Sequence, residues 1–198
     1  GWYDLWTQYT LFYAIFFFAP LIGVYAAHLW RLEHRGHNWN LIMTAPVRPF
    51  CLYFAKFCVV AKMAVLTQAW LLVLFVFGGK CGATLPGFPP PEIVLWLLRG
   101  VIGGLAIIAL QLLLSMVIRN FALPVLIALG GSVAGLLAVS EDLGLYWPYS
   151  LMILGMNSNR TEDVMKGGIW GFFVSCTIFL TVFLLIANVL LTQRDVNA

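Results

Sequence analysis

The sequence predicts an all-α, polytopic membrane helical bundle, on the evidence of its composition and its long apolar runs. Of its 198 residues, 62% are hydrophobic, and the mean hydropathy is +0.94. Soluble domains have roughly 45–50% apolar residues. Five apolar runs have about the ~20 residues that a helix needs to cross a ~30 Å hydrocarbon core. No polar stretch is long enough to build a soluble domain, so we expect residues 1–198 to form a single transmembrane domain.

Five spans are predicted in chain order, each an apolar run bounded by charged or turn-forming residues. Only Arg119 and Asn120 separate the third span from the fourth, which predicts a tight hairpin. Pro124 then falls in the first turn of the fourth span, where a proline is tolerated. The predicted spans are about Tyr9–Trp30, Phe57–Phe77, Ile93–Ile118, Phe121–Val139 and Ile169–Leu191.

Basic residues are unevenly distributed between the two sides of the predicted bundle, and cytoplasmic loops carry the excess of Lys and Arg. We therefore expect residues 31–50 and the C-terminus to be cytoplasmic, and the net charge of +3 indicates sidedness rather than affinity for nucleic acid. An odd number of spans places Gly1 outside, so a sixth span is expected before it. The basic side carries Arg31, Arg35, Arg48, Lys56, Lys62, Arg119 and Arg194, and the other side carries Lys80, Arg99, Arg160 and Lys166.

The outer connector, residues 140–168, contains the apolar run "LGLYWPYSLMILGM". This run is too short to span the membrane and is interrupted by Pro148, so we expect an outer re-entrant or interfacial element. Small residues also recur at four-residue spacing, which predicts close helix packing, with a dimer face as the alternative. These pairs are Gly100 and Gly104, Gly131 and Gly135, and Gly167 and Gly171.

No constellation of catalytic or metal-binding residues is apparent. Only His28 among the three histidines lies in a predicted span, and no histidine follows Ser132 to activate it as a nucleophile. A Gly-Lys-Ser/Thr phosphate loop is missing from the sequence, so any ATP is bound by another polypeptide. Arg99 is the notable intramembrane charge, and it either faces a substrate path within the bundle or snorkels to the outer headgroups. The sequence thus predicts neither an enzyme nor a bound cofactor.

The polar stretch "RLEHRGHNWNLIMTAPVRPF" predicts a short helix between the first two spans. Asn38 is a suitable N-cap, and Pro46 disfavours helical conformation at the residue before it. Trp39, Ile42 and Met43 recur at helical spacing and form one apolar face. A helix of roughly eight residues, ~12 Å long, is too short to be stable unless it docks against something. It either rests Trp39 in the headgroups or inserts into a partner protein.

At this stretch the chain resembles a known family. "LEHRGHNWNLIMTAPVRPFCLYFAKF" is similar to the segment of ABC exporter permeases in which an acidic residue precedes a short Asn-Trp helix, a proline and a downstream lysine. The chain looks most like the lantibiotic-immunity and related peptide-exporter permeases, and "LQLLLSMVIRNFALPVLIALGG" and "LLTQRDV" agree with this resemblance. The resemblance implies a six-span permease with a cytoplasmic coupling helix, an outer re-entrant element and no nucleotide-binding domain of its own.

The resemblance also implies a function and partners. We expect the permease subunit of an ATP-driven exporter of a peptide or another amphiphile, in a bacterial plasma membrane. Two separate ATPase subunits would bind ATP and Mg²⁺, and a second permease subunit, identical or paralogous, would complete the complex. The alternatives are export of a lipid, haem or polysaccharide, or a non-transporting immunity or sensor subunit. The expected ATPase contacts are Glu33, Arg35, Asn38, Trp39, Ile42, Met43 and Pro46, and the substrate-path candidate is Arg99.

Overall fold

The structure, a computed structural model, describes residues 1–35, 44, 46–165 and 167–193. Within these residues, five helices are long and apolar enough to cross a membrane, which confirms the predicted all-α polytopic bundle. We number the helices in chain order, with a short helix, α5, between the fourth and fifth spans. Their bounds are Trp2–His34 (α1), Pro49–Gly82 (α2), Pro91–Val117 (α3), Ala122–Ser140 (α4), Ser150–Gly155 (α5) and Ile169–Gln193 (α6).

Helix α1 is longer than predicted, because it begins at Trp2 instead of at the start of the apolar run. The buried rings of Trp2 and Trp6 pack against Phe75 of α2, with ring centroids 5.5 and 5.1 Å away. Within α1 the hydrogen bonding widens to a π-helical stretch at Tyr13–Phe17. Pro20 accounts for this change, since it lacks an amide hydrogen and its ring crowds the carbonyl four residues earlier, inside that stretch.

Helix α3 lies at the centre of the bundle and packs against α1, α2, α5 and α6. It is the most buried of the five spanning helices, and it is largely apolar on every side, as expected for a helix that others surround. The outer helices bury one side and expose large apolar side chains on the other. Trp70 of α2 and Trp170 of α6 are both more than half exposed, on faces that lipid or another subunit covers in a membrane.

The run predicted to re-enter from outside folds into the bundle, and we call residues 143–156 the re-entrant segment. A 3₁₀ turn at Gly144–Tyr146 precedes α5, whose side chains Leu151, Met152 and Ile153 are buried. Helix α5 packs chiefly against α3 and α4. Because α4 ends and α6 begins at one end of the bundle, the segment enters and leaves at that same end. It has the geometry predicted for a re-entrant element.

Glycines on three helices provide the surface on which the re-entrant segment rests. A Cβ added at Gly103 of α3 would lie 2.5 Å from the carbonyl oxygen of Leu151. From the other side, a Cβ added at Gly155 of α5 would lie 2.7 Å from the carbonyl oxygen of Arg99. The two backbones therefore touch, as small residues permit. The other glycines that face residues of the re-entrant segment are Gly100, Gly131, Gly135 and Gly171, whereas Gly104 chiefly faces Phe18 of α1.

The prediction that the third and fourth spans pack against each other as a tight hairpin is wrong. The joint is short, because α3 ends at Val117 and α4 begins at Ala122. The two helices nevertheless diverge from this joint, and α4 packs chiefly against α1 and α5. The re-entrant segment lies between them, since Gly103 of α3 and Gly131 of α4 both face it.

Candidate coupling site

Four helix ends meet at one end of the bundle, which we call the basic end. Helix α1 ends at His34, α2 begins at Pro49, α3 ends at Val117 and α4 begins at Ala122. The imidazole Nε2 of His34 lies 3.0 Å from the carbonyl oxygen of Ser115, and this contact ties α1 to α3. The predicted coupling segment, residues 31–50, connects α1 to α2 at this end.

A buried ion pair joins α1 to α2 where this connection leaves the bundle. The Lys56 Nζ lies 2.6 Å from Glu33 Oε1 and 2.7 Å from the carbonyl oxygen of Leu29. It also lies 5.0 Å from the centroid of the Trp30 ring. The two charged side chains are only 10% and 12% exposed. A carboxylate, a carbonyl and the face of an indole ring thus replace the water that the ammonium group has lost.

The sequence brings the two charges together from separate helices. Glu33 lies in the last turn of α1, and Lys56 lies about two turns, or ~10 Å, into α2. Removing one member of a buried ion pair leaves an uncompensated charge, which typically costs about 3–5 kcal/mol. The pair therefore fixes the end of α1 against α2, on both sides of the coupling segment.

The predicted ATPase contacts are only partly described by the structure. Glu33 turns inward to Lys56, and its second oxygen is buried without a hydrogen-bond partner among the described residues. Arg35 follows α1 in an extended conformation and is exposed, and Pro46 is exposed as well. An approaching protein can reach these two residues directly. Lying outside the described residues are Asn38, Trp39, Ile42 and Met43.

Lys56 is the residue of this site that sequence reasoning missed, because it was assigned no partner. A signal for the pairing exists in the sequence. Glu33 is the only acidic residue between positions 5 and 91, and a lysine two turns inside an apolar helix needs a counter-charge or a route to water. These two observations together would have indicated the pair.

At the opposite end of the bundle, the buried charge of Arg99 also has a partner. Its side chain is bundle-facing, and the Nη1 donates to both carboxylate oxygens of Asp163 at 2.9 Å. Asp163 Oδ1 also accepts the amide of Met165 at 3.0 Å. Arg99 therefore anchors the loop at residues 156–168 against α3. Its assignment to a substrate path stays a prediction.

The contacts of Asp163 determine how this carboxyl titrates. Its partial burial would by itself raise the pKa, but the Met165 amide and the Arg99 guanidinium outweigh that effect. They hold the pKa of Asp163 below its ordinary value. The carboxylate therefore stays ionised, and the loop stays attached, across the neutral pH range.

The fold and its two ends define a polytopic membrane protein without a separate soluble domain in the described residues. A family model described as "ABC-2 family transporter protein" matches residues 1–135, and the chain belongs to this family. It is a membrane permease subunit of an ABC transporter, and the family implies association with an ABC ATPase. The matched residues include the four helix ends that define the basic end, from α1 to the start of α4. Comparisons with curated proteins and with solved structures found no match.

Proposed function

We propose that this permease belongs to an exporter that moves a peptide, or another amphiphile, out of the cell or out of the membrane. Family membership supports the transport role, and the likeness of residues 32–57 to lantibiotic-immunity and peptide-exporter permeases supports the class of substrate. Two ATPase subunits bind ATP and Mg²⁺, and a second permease, identical or paralogous, completes the complex. The basic end and the C-terminus face the cytoplasm of a bacterial cell.

The observation that best supports mechanical coupling is the Glu33–Lys56 pair. It joins the last turn of α1 to the second turn of α2, so the coupling segment begins and ends on one fixed base. A push on this segment then moves α1 and α2 together and does not fray their ends. Helix α1 packs against α3 and α4, and α2 packs against α3 and α6. A displacement at the basic end therefore reaches every spanning helix.

In this proposal the coupling segment is a docking element for the ATPase. Arg35 and Pro46 offer exposed contacts at its two ends. Glu33 fixes the end of α1 to α2 through its ion pair with Lys56, and its negative charge lies beside the coupling segment. Arg99 touches a substrate only after it leaves Asp163, so an anionic group of the substrate would have to replace that carboxylate. The remaining predicted contacts supply the cap and the apolar anchor, namely Asn38, Trp39, Ile42 and Met43.

The experiment compares Trp39→Asp and Met43→Asp with the wild-type chain, each purified with the ABC ATPase that copurifies with it. Aromatic anchors at protein interfaces contribute about 2–4 kcal/mol, so we expect ATPase binding to weaken by roughly 30-fold or more. Substrate-stimulated ATP hydrolysis in proteoliposomes should fall with it. Phe88→Asp is the matched control, because Phe88 is 81% exposed near the opposite end of the bundle. Wild-type assembly and stimulation in both aspartate variants would overturn the proposed docking role.

The class of substrate is tested separately, with the same proteoliposomes. We expect an amphiphilic peptide to stimulate ATP hydrolysis and to accumulate on the side opposite the ATPase. Stimulation by a lipid or a polysaccharide, with no response to peptides, would contradict the peptide assignment and leave the exporter role intact. Peptide binding without any ATPase partner would favour the sensor or immunity alternative.

A further inference from the structure

The basic end also contains a cavity, and Arg35 is the only one of its lining residues that the coupling proposal uses. It has a volume of about 300 Å³ and lies between the end of α1, the end of α3 and the start of α4. Three arginines line it, Arg31, Arg35 and Arg119, and no carboxylate is among its described lining residues. Glu33 is close in sequence, but its charge is taken up by Lys56. The cavity therefore presents three positive charges with no counter-charge among those lining residues.

Ser115 provides an independent indication of a ligand. Ser115 is one of the residues that line the cavity, it is only 1% exposed, and its Oγ is buried with no hydrogen-bond partner among the described residues. Its carbonyl oxygen is already engaged by the imidazole of His34. A buried hydroxyl without a partner is rare and costly in proteins. A rotation of the Ser115 side chain toward the cavity would let an anionic oxygen there accept the hydrogen bond of this hydroxyl, and the same anion would balance the arginine charges.

The position of the cavity favours a lipid as the source of that anion. Arg119 lies in the short joint between α3 and α4, where both helices leave the apolar layer. The guanidinium of Arg31 lies over the ring of Phe121, 5.8 Å from its centroid. Large exposed apolar side chains flank the same joint, at Val117 and Leu123. A molecule bound here meets cationic groups and apolar surface side by side, as the phosphate and acyl chains of a phospholipid require.

We propose that this cavity binds the phosphate of an anionic phospholipid. Arg31, Arg35 and Arg119 are its cationic partners, and the Ser115 hydroxyl donates to a phosphate oxygen. A bound lipid bridges the ends of α1, α3 and α4 beside the coupling segment. The binding itself depends neither on the exported substrate nor on the ATPase, so it can be tested on the permease alone.

The test titrates the full chain in detergent with phosphatidylglycerol and with phosphatidylcholine, and counts bound lipids by native mass spectrometry. We expect tighter binding of phosphatidylglycerol. Each surface arginine contributes roughly a fivefold change in affinity for anionic lipid, so Arg31→Gln with Arg119→Gln should weaken binding by about 25-fold. Arg48→Gln is the matched control, because Arg48 is exposed at the same end and does not line the cavity. Ser115→Ala should weaken binding without any change of charge.

Each of four results would overturn the proposal. An equal loss in Arg48→Gln would mean diffuse attraction to the basic end, and equal affinity for phosphatidylcholine would remove the role of the anion. Competition by inorganic phosphate at the same concentration as the lipid would assign the cavity to a soluble anion. Intact lipid binding in the double variant, with loss of the copurifying ATPase, would assign the arginines to a protein contact. Arg119→Lys keeps the charge and should keep most of the binding, so a general folding defect in the double variant can be recognised.

Discussion

The backbone contact between α3 and the re-entrant segment leads to a definite prediction for Gly103→Ala. The new Cβ would lie 2.5 Å from the carbonyl oxygen of Leu151, 2.7 Å from its carbonyl carbon and 3.1 Å from the amide nitrogen of Met152. Close carbon–oxygen contacts in proteins lie at about 3.3 Å or more. The helix and the segment must therefore move apart by several tenths of an ångström. Because the neighbouring atoms belong to the backbone, no side-chain rotation relieves the clash.

The size of the effect follows from two opposing terms. Overpacking typically costs about 1–3 kcal/mol, and replacing a helical glycine with alanine gains about 0.5–1 kcal/mol. We expect Gly103→Ala to lower the free energy of unfolding by about 1–2 kcal/mol. Gly130→Ala is the matched control in α4, since a Cβ there meets nothing within 4 Å. This control should gain up to about 1 kcal/mol, so the same chemical change has opposite effects at the two positions.

The assay is unfolding of the purified chain in mixed micelles by increasing SDS, followed by tryptophan fluorescence and circular dichroism. The difference between the two variants should be about 2 kcal/mol and should show as a shift of the transition midpoint. Equal midpoints for Gly103→Ala and Gly130→Ala would refute the backbone contact. A helix that tolerates a methyl group at Gly103 cannot lie against the carbonyl group of Leu151.

The same unfolding measurement tests the other contacts. Gly155→Ala places a Cβ 2.7 Å from a carbonyl oxygen of α3 and should lower the free energy of unfolding by about 1–3 kcal/mol. Wild-type stability in this variant would contradict the backbone contact. Lys56→Met leaves Glu33 charged, buried and unpaired, and should lower the free energy of unfolding by about 3–5 kcal/mol. Adding Glu33→Gln to the same chain should restore most of this loss. No restoration would mean that the broken pair is not the cause of the loss. The pKa of Asp163 is held low in the folded protein, so the stability that this carboxylate contributes is complete above its unfolded pKa of about 3.9. That stability is lost as the pH falls through the lower pKa of the folded state. Asp163→Asn should lack this acid-induced loss, and Glu141→Gln should retain it.

The spanning helices could be predicted from the sequence because their signal is local. A run of about 20 apolar residues must lie in the bilayer whatever its neighbours are, and three of the five predicted spans end within two residues of the C-terminal ends of the observed helices. The start of α1 could not be predicted in the same way. Trp2 and Trp6 lie in a stretch with Asp4 and Gln8, and only packing against Phe75 makes that stretch part of the bundle.

The candidate site was less predictable, because it depends on pairs that are distant in sequence. Glu33 and Lys56 are 23 residues apart, and Arg99 and Asp163 are 64 residues apart. Helical periodicity shows which face of a helix is polar, but it does not show which other helix that face meets. The glycine spacings were ambiguous for the same reason. Close approach was readable from them except at Gly167, where an added Cβ meets nothing within 4 Å, but their main partner, the re-entrant segment, was known only from the fold.

These contacts form one continuous series from the basic end to the opposite end. The Glu33–Lys56 pair joins α1 to α2. One turn before Lys56, the hydroxyl of Tyr53 donates to the carbonyl oxygen of Ala109 at 2.6 Å and joins α2 to α3. Further along α3, Gly103 touches the backbone of the re-entrant segment, and Arg99 holds Asp163.

In the proposed coupling mechanism, helix α3 is therefore the central element through which a displacement of the coupling segment passes to the opposite end. A buried hydrogen bond and a backbone contact do not slide without cost, because a shift along the helix leaves polar groups unpaired or makes atoms overlap. We therefore expect the coupling movement to be a rigid-body tilt of α1, α2 and α3 that carries the re-entrant segment with it. If ATP is bound by separate ATPase subunits, as proposed, such a connection is needed, since the work done at one end has to alter the packing at the other.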